Sequence, residues 1–143
     1  MKRIILSLIF AALISSCSNM YNDEPRDGVF DIEDNLNIGI QSSYEIEQAA
    51  RCSMGIDWFN LSIISYSDEG FIDEIIKKLN LNSQEKPMSF ADSDSVKKPD
   101  WWNEKIKKNA DFTEYYSKTE GESYWSVWVD RSTHTIYLEW GRW

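Results

Sequence analysis

The spacing of apolar and polar residues predicts a β segment followed by an α segment in the middle of the chain. From Trp58 to Tyr66, apolar side chains alternate with polar ones, and this period of two predicts a strand with one buried face. The helical spacing of the next apolar residues predicts a helix up to about residue 79. Lys77 and Lys78 suit its negative C-terminal end. The helical stripe consists of Phe71, Ile72, Ile75, Ile76 and Leu79.

A first helix is expected over residues 43–53. Ser42 and Glu45 have the spacing of a capping box. The apolar residues that follow have a helical spacing: Tyr44, Ile46, Ala49 and Ala50. Cys52 lies at the end of this segment without a partner motif beside it, so we expect a buried structural thiol rather than a nucleophile.

The C-terminus is predicted to form a β-hairpin. Residues 124–129 and 135–140 are both rich in β-branched and aromatic side chains, and the polar residues 130–134 connect them. His134 lies in this connection, and we expect it to be a solvent-exposed turn residue. A catalytic triad or dyad would have to use it, because the chain has one histidine.

Together these elements indicate one α+β domain over residues 39–143. We expect a small antiparallel sheet of three or four strands, including the hairpin, packed against two or three helices. Residues 82–99 are polar and contain two prolines, which predicts a long exposed loop. A later aromatic group is compatible with a further helix: Phe112, Tyr115 and Tyr116.

The first seventeen residues follow a different pattern. Lys2 and Arg3 precede an apolar run of 11 residues, 4–14, and the run ends in Ser15-Ser16-Cys17. A membrane-spanning helix needs about 20 residues, so the run is too short to span a bilayer permanently. The segment resembles the signal peptide and lipobox of bacterial lipoproteins. An ordinary signal peptide with a chance cysteine and an uncleaved anchor are the alternatives.

The resemblance implies a membrane anchor at Cys17. In the lipoproteins that it resembles, cleavage precedes the cysteine, which then carries a diacylglyceryl thioether and usually an amide-linked acyl chain. Residues 1–16 are then the signal peptide, and 17–38 are the lipidated cysteine and a flexible tether. Ser18 favours the outer membrane, facing the periplasm, in a source with two membranes. In a source with one membrane the protein would lie on its outer face.

The charge of the chain restricts its partners. The full sequence has 15 basic and 24 acidic residues and a net charge of −9. The leader holds two of the basic residues and no acid, so the remainder has a net charge near −11. Such a surface repels nucleic acid and anionic lipid headgroups and suits a basic protein partner. Acidity that serves only solubility is the alternative.

Aromatic residues suggest a binding surface. Six of the seven tryptophans lie from residue 101 onward. In the hairpin, Tyr124, Trp128 and Tyr137 belong to one face. The adjacent Trp101 and Trp102 cannot both point inward from a regular element, so one of these rings is expected to be exposed. These five rings could bind a sugar or a protein. In the alternative interpretation both faces are covered, and the rings fill the core.

The sequence contains no recognisable catalytic motif. It has no His-rich or Cys-rich cluster, no phosphate-binding loop and no nucleophile elbow, and we expect no metal or cofactor. Asp92 and Asp94 lack the glycine and glutamate of a calcium loop. Our leading hypothesis is a non-catalytic envelope lipoprotein that binds another protein, as inhibitors and immunity proteins do. A glycan- or peptidoglycan-binding module and a small envelope hydrolase with paired carboxylates are the alternatives.

Overall fold

One antiparallel sheet is the main element of the protein, in a computed structural model that describes residues 26–27, 32–54, 57–86, 89, 91, 96–102, 112 and 114–143. Within these residues the strands are β1 Arg26–Asp27, β2 Tyr44–Met54, β3 Asp57–Tyr66, β4 Asn82–Ser83, β5 Glu114–Glu120, β6 Ser123–Asp130 and β7 Thr135–Arg142. Their order is β1-β2-β3-β7-β6-β5-β4, and all neighbours are antiparallel. The helices are α1 Ile32–Leu36 and α2 Gly70–Leu79, and residues 100–102 form a further helical turn.

The α+β class is confirmed, but the balance differs from the expectation. The sheet has seven strands rather than three or four, although β1 and β4 have only two residues each. Helices contribute little to the described part of the chain. None of the helices among the described residues is long and apolar enough to cross a membrane.

Three predicted elements are confirmed. The alternating segment is β3, the amphipathic segment is α2, and the C-terminal hairpin is formed by β6 and β7. At the start of α2, the Asp68 carboxylate accepts a hydrogen bond from the Gly70 amide at 2.8 Å. At its end, Asn80 adopts a left-handed conformation with φ of 53° and donates to the carbonyls of Ile76 and Lys77.

The helix predicted over residues 43–53 is wrong, because this segment is strand β2. A β-bulge between Ile46 and Gln48 explains the error. The extra residue changes one apolar spacing from two to three, so the strand acquires part of a helical period. Cys52 is fully buried, as expected, but it lies on this strand and not on a helix.

Two further expectations need correction. Tyr115 and Tyr116 belong to β5, and they pack on opposite sides of the sheet as strand neighbours must. Residues 17–38 were expected to be a flexible tether, yet β1 pairs with β2, and α1 buries Ile32 to 1% exposure. Ordered structure therefore begins before residue 39. The few apolar residues there are separated by acids, so no local pattern indicated it.

The sheet is covered on both faces. Helices α1 and α2 pack on one face, here called the helix face, against Ile64, Val127 and Leu138. On the opposite face, here called the loop face, four residues from the chain between β4 and β5 share a cluster with Leu61 and Ile63: Ala91, Val96, Trp102 and Phe112. Both faces therefore contribute to the core, and the hairpin is buried on each side.

Glu74 of α2 ties the helix to the chain that enters β2. Its carboxylate accepts hydrogen bonds from the Gln41 amide at 2.9 Å, the Ser42 amide at 3.1 Å and the Ser42 hydroxyl at 3.0 Å. Lys78 lies 3.1 Å from the same carboxylate. These donors, led by the Gln41 amide, lower the pKa of Glu74 to about 2.

This tie predicts a stability loss in acid that depends on Glu74. Because the folded-state pKa is below the unfolded value of 4.5, the contribution is complete above pH 4.5 and is lost as pH falls toward 2. We expect Glu74→Gln to unfold at lower urea concentration than the wild type at pH 7. The two urea midpoints should converge as pH approaches 2. A constant difference across this range would contradict the prediction.

Candidate functional site

A groove lies at the end of the sheet where β2 begins and β3 ends. The register pairs Tyr44 with Tyr66 at this end. The next residue, Ser67, leaves the sheet toward α2, and its amide lies 3.5 Å from the Ser43 carbonyl. The groove has a volume of about 310 Å³. It is lined by Ser43, Tyr44, Glu45, Ser65, Tyr66 and Ser67.

Several oxygen atoms of the residues that line this groove have no partner among the described residues. Glu45 is exposed, and its carboxylate makes no ion pair or hydrogen bond with another described residue. Tyr66 is 5% exposed, and its buried hydroxyl has no hydrogen-bond partner within the described part of the chain. The three serines likewise offer hydroxyls that bond to no other described side chain. The groove can therefore accept hydrogen bonds from a ligand without breaking existing ones.

Two basic side chains near Tyr66, Arg131 and His134, are already bound by carboxylates. Arg131 donates from Nη1 to Glu69 at 2.9 Å, and from Nε and Nη2 to Glu114, the latter at 3.1 Å. His134 Nε2 lies 3.0 Å from Glu69 Oε1, and His134 is solvent-exposed, as predicted. The Arg131 hydrogen bond lowers the pKa of Glu114. Burial and then the Glu69 charge raise the pKa of Tyr66.

A second candidate is a row of tryptophans and cations across the helix face, which we call the tryptophan row. Strand register aligns its members across five strands, in the order Arg51, Asn60, Trp140, Trp125 and Lys118. The Lys118 ammonium lies 5.6 Å from the Trp125 ring. Asn60 is fully buried, yet no described residue accepts a hydrogen bond from its Nδ2, and the same holds for Nε1 of Trp125.

Trp58 extends this row at the start of β3. Its ring meets that of Trp140 edge-on, with centroids 5.3 Å apart, and the Arg51 guanidinium lies 5.0 Å from its centroid. Trp58 and Trp125 are both partly exposed. The row therefore offers aromatic edges beside hydrogen-bond donors, a combination found where proteins bind sugars or other proteins.

Glu139 is a buried carboxylate that sequence reasoning missed. It is fully buried on the loop face. It accepts hydrogen bonds from the Tyr124 hydroxyl at 2.9 Å, the Ser89 hydroxyl at 2.6 Å and the Ala91 amide at 3.2 Å. Burial, followed by the charge of Glu139, raises the pKa of Tyr124 far above its usual value. This cluster holds the loop on the sheet, and its polar atoms are occupied in doing so.

The aromatic surface expected from sequence is mostly core. Four of the five rings are between 1% and 5% exposed: Trp102, Tyr124, Trp128 and Tyr137. These rings are part of the core, as in the alternative interpretation in which both faces of the sheet are covered. Trp102 meets Trp128 edge-on, with ring centroids 5.7 Å apart. Trp101 is the partly exposed member of its pair, in line with the expectation that one of the two rings is accessible.

Two other expectations concern the anchor and catalytic groups. Cys17 lies outside the described residues. Among the residues that are described, no three His, Cys, Asp or Glu side chains are placed to hold a metal ion. Glu45 is the one carboxylate among the described residues that line the groove, whereas the hydrolase hypothesis requires two close together.

Comparison with known proteins assigns no family to the chain. The residues described above therefore carry the functional argument. No protein-family model matches this sequence, and neither a curated protein nor a solved structure matches it.

Proposed function

We propose that this protein is a lipid-anchored cell-envelope protein whose domain binds a basic protein. One observation carries the binding part of this proposal. Four exposed carboxylates lie on β2 and on the first turn and approach of α2, and we call them the acidic end: Glu45, Glu47, Asp68 and Asp73. Glu45 also lines the groove, whereas Lys77 and Lys78 are at the opposite end of α2.

The charge distribution supports association with a cation-bearing surface. The whole chain has a net charge of −9, so a basic protein is attracted over a distance of several ångströms. The exposed carboxylates of the acidic end are then available to contact the partner's basic side chains. An inhibitor or immunity protein that blocks a basic envelope-directed enzyme belongs to this class of function. Complementary charge gives such complexes fast association and specificity.

The salt dependence of partner binding tests this proposal. Envelope extracts should yield a basic protein that co-purifies with the full chain. Its affinity should fall from about 0.1 M to about 1 M salt, because the Debye length shortens from about 10 Å to about 3 Å. If the affinity of the purified pair does not change with salt, the proposal that the partner is attracted electrostatically to the acidic end is refuted.

The anchoring part of the proposal follows from the leader. Lys2 and Arg3, the short apolar run and Cys17 have the pattern of a lipoprotein signal. We expect Cys17→Ser to be less membrane-bound than the wild type and to remain unprocessed, because the thioether lipid cannot form. Cell fractionation and mass spectrometry of the N-terminus measure both effects. The control is Cys52→Ser, which keeps Cys17 and should remain in the membrane fraction.

Glycan binding is a second candidate function, and the tryptophan row favours it. Trp125 is partly exposed, its Nε1 has no partner among the residues that the structure describes, and the exposed Arg51 lies over the Trp58 ring. Tryptophan fluorescence titrated with cell-wall fragments would test this function. A saturable shift that Trp125→Phe removes would support it, and an unchanged spectrum would exclude it.

A further inference from the structure

We propose that one end of the sheet rests on the bilayer that holds the lipid anchor. We call this surface the tryptophan end, and it consists of Trp58, Trp125 and Trp143 with the charged residues beside them. The occupant is the headgroup layer of a lipid bilayer. This inference rests on the anchoring part of the proposed function and adds a second contact between the domain and the membrane.

The strand register gathers accessible tryptophans at this end. Trp58, near the start of β3, lies opposite Arg142 of β7. Trp143 follows Arg142, and its amide donates to the Glu122 carbonyl at 3.1 Å, in the turn between β5 and β6. Trp125 lies near the start of β6, which leaves the same turn. Trp143 is 38% exposed, and Trp58 and Trp125 are partly exposed.

Helices α1 and α2 cover the helix face further along the same strands. They pack against Ile64 of β3 and Leu138 of β7, whereas Trp58 and Trp125 keep part of their surface in water. A tryptophan ring has an apolar body and one polar N–H, and such rings are enriched where lipid tails meet water. A group of accessible tryptophans therefore suits the headgroup layer of a bilayer.

The chain enters the domain from the tryptophan end. Strand β1 is antiparallel to β2, with Arg26 opposite Arg51 and Asp27 opposite Ala50. The chain therefore approaches β1 from the side on which β2 ends and β3 begins. Cys17 precedes Arg26 by nine residues, which span at most about 32 Å when fully extended. A lipid on Cys17 thus keeps Arg26, beside the tryptophan end, within that distance of its attachment point.

The charges described at the tryptophan end balance one another, unlike those of the whole domain. They are three cations and three carboxylates: Arg51, Lys118, Arg142, Asp57, Glu120 and Glu122. Lys118 pairs with Glu120 at 2.5 Å, and Arg142 Nε donates to Glu122 at 2.9 Å. The chain without its leader has a net charge near −11, so other surfaces repel lipid phosphates. The tryptophan end can approach them without that repulsion.

The short connection to the anchor makes a weak contact sufficient. Once Cys17 is held by lipid, contact between the tryptophan end and the bilayer no longer requires diffusion from solution. Effective concentrations for short linkers reach about the millimolar range. The domain therefore needs far less affinity for the bilayer than an unanchored protein would need.

This docking directs the acidic end away from the membrane. Trp58 and Tyr66 are eight residues apart on β3, which is about 26 Å at 3.3 Å per residue. The groove that Glu45 lines lies at the Tyr66 end of this strand. A basic partner can then reach the acidic end while the opposite end of the sheet rests on lipid.

Fluorescence quenching by brominated lipid tests the inference. The mature full chain, purified from membranes with its lipid, is reconstituted into neutral phosphatidylcholine vesicles with or without bromine near the start of the acyl chains. Bromine quenches the tryptophans that it contacts, so we expect weaker protein fluorescence in the brominated vesicles. Equal fluorescence in both kinds of vesicle, for protein that floats with both, would overturn the inference.

Single tryptophan variants identify the docking surface. Trp125→Phe and Trp143→Phe should each reduce the fluorescence lost to bromine, because each removes a ring of the tryptophan end. Trp143 is exposed, so its replacement leaves the core intact. The matched control is Trp101→Phe, since this ring is also partly exposed but packs against the loop-face cluster. It should leave the loss unchanged, and an equal effect of all three variants would overturn the assignment.

A second pair of variants changes the charge and keeps all seven tryptophans. Arg142→Glu, at an exposed position opposite Trp58, should reduce the quenching about twofold or more, the scale of a surface charge interaction. Lys86→Glu makes the same change of charge at an exposed position after β4, which runs away from Glu120. It should leave the quenching unchanged. Equal reductions would show a general effect of charge and would overturn docking by the tryptophan end.

Failure of this inference can be told apart from failure of the proposed function. Protein that floats with the vesicles without being quenched keeps its anchor, so docking alone is refuted. Protein that does not float has no anchor, and both the anchoring and the docking are then refuted. If cell-wall fragments change the tryptophan fluorescence and brominated lipid does not, the rings form a glycan site and the inference is overturned.

Discussion

Replacing Glu139 by alanine is expected to lower the free energy of unfolding by about 3–5 kcal/mol. The carboxylate is fully buried and accepts hydrogen bonds from Tyr124, Ser89 and Ala91. Each buried donor left unpaired costs about 1–3 kcal/mol, and the missing side chain leaves a cavity as well. A domain of this size has a total stability of about 5–15 kcal/mol, so the loss would be a large part of it.

Two further variants show whether buried hydrogen bonding is responsible. Glu139→Gln keeps the volume and one acceptor oxygen, and we expect a smaller loss of about 1–2 kcal/mol. Glu120→Ala removes a strand carboxylate that is 67% exposed, and it should change stability by about 1 kcal/mol or less. Urea unfolding followed by tryptophan fluorescence gives all three values. Equal losses for Glu139→Ala and Glu120→Ala would refute the assignment.

Gly141→Ala is expected to cost about 2–3 kcal/mol, because the backbone of β3 leaves no room for a side chain. A Cβ at this position would collide with the Trp58 carbonyl oxygen and would lie 2.7 Å from the Phe59 Cβ and 2.8 Å from its Cα. These obstacles include backbone atoms of a paired strand, so relief requires the β3–β7 ladder to separate.

Two other glycines serve as controls for the steric argument. A Cβ at Gly39 meets no atom within 4 Å, so Gly39→Ala should stay within about 0.5 kcal/mol of the wild type. Gly121 is also open, but its φ of +61° makes alanine unfavourable by about 1–2 kcal/mol. Thermal unfolding of the three variants should rank them with Gly141→Ala the least stable. A Gly141→Ala protein as stable as Gly39→Ala would contradict the predicted collision.

The elements predicted correctly are those whose signal is local. Helix α2 and strand β3 each keep one hydrophobic period from start to end, and the hairpin joins two β-rich segments through a short polar turn. Strand β2 was mistaken for a helix because its bulge between Ile46 and Gln48 interrupts the period of two. A bulge depends on the partner strand, so the segment's own residues do not reveal it.

The candidate site was less predictable than the fold. Glu45 was assigned to a helix cap, and Tyr44 and Tyr66 were recognised only as parts of separate elements. The groove exists because β2 and β3 pair in a register that brings these residues together. The hairpin rings Trp128 and Tyr137 were considered as a surface, and they are buried because loop segments cover that face of the sheet.

The sequence by itself determined the leader pattern, the negative charge, helix α2, strand β3 and the hairpin, because each depends on residues close together along the chain. Only the tertiary structure decided that β2 is a strand, that the loop face is covered and that Glu139 is buried. It also brought Ser43, Glu45 and Tyr66 to one groove. Burial and proximity depend on contacts between distant segments, and the hydrophobic pattern of one segment does not specify which surface will cover it.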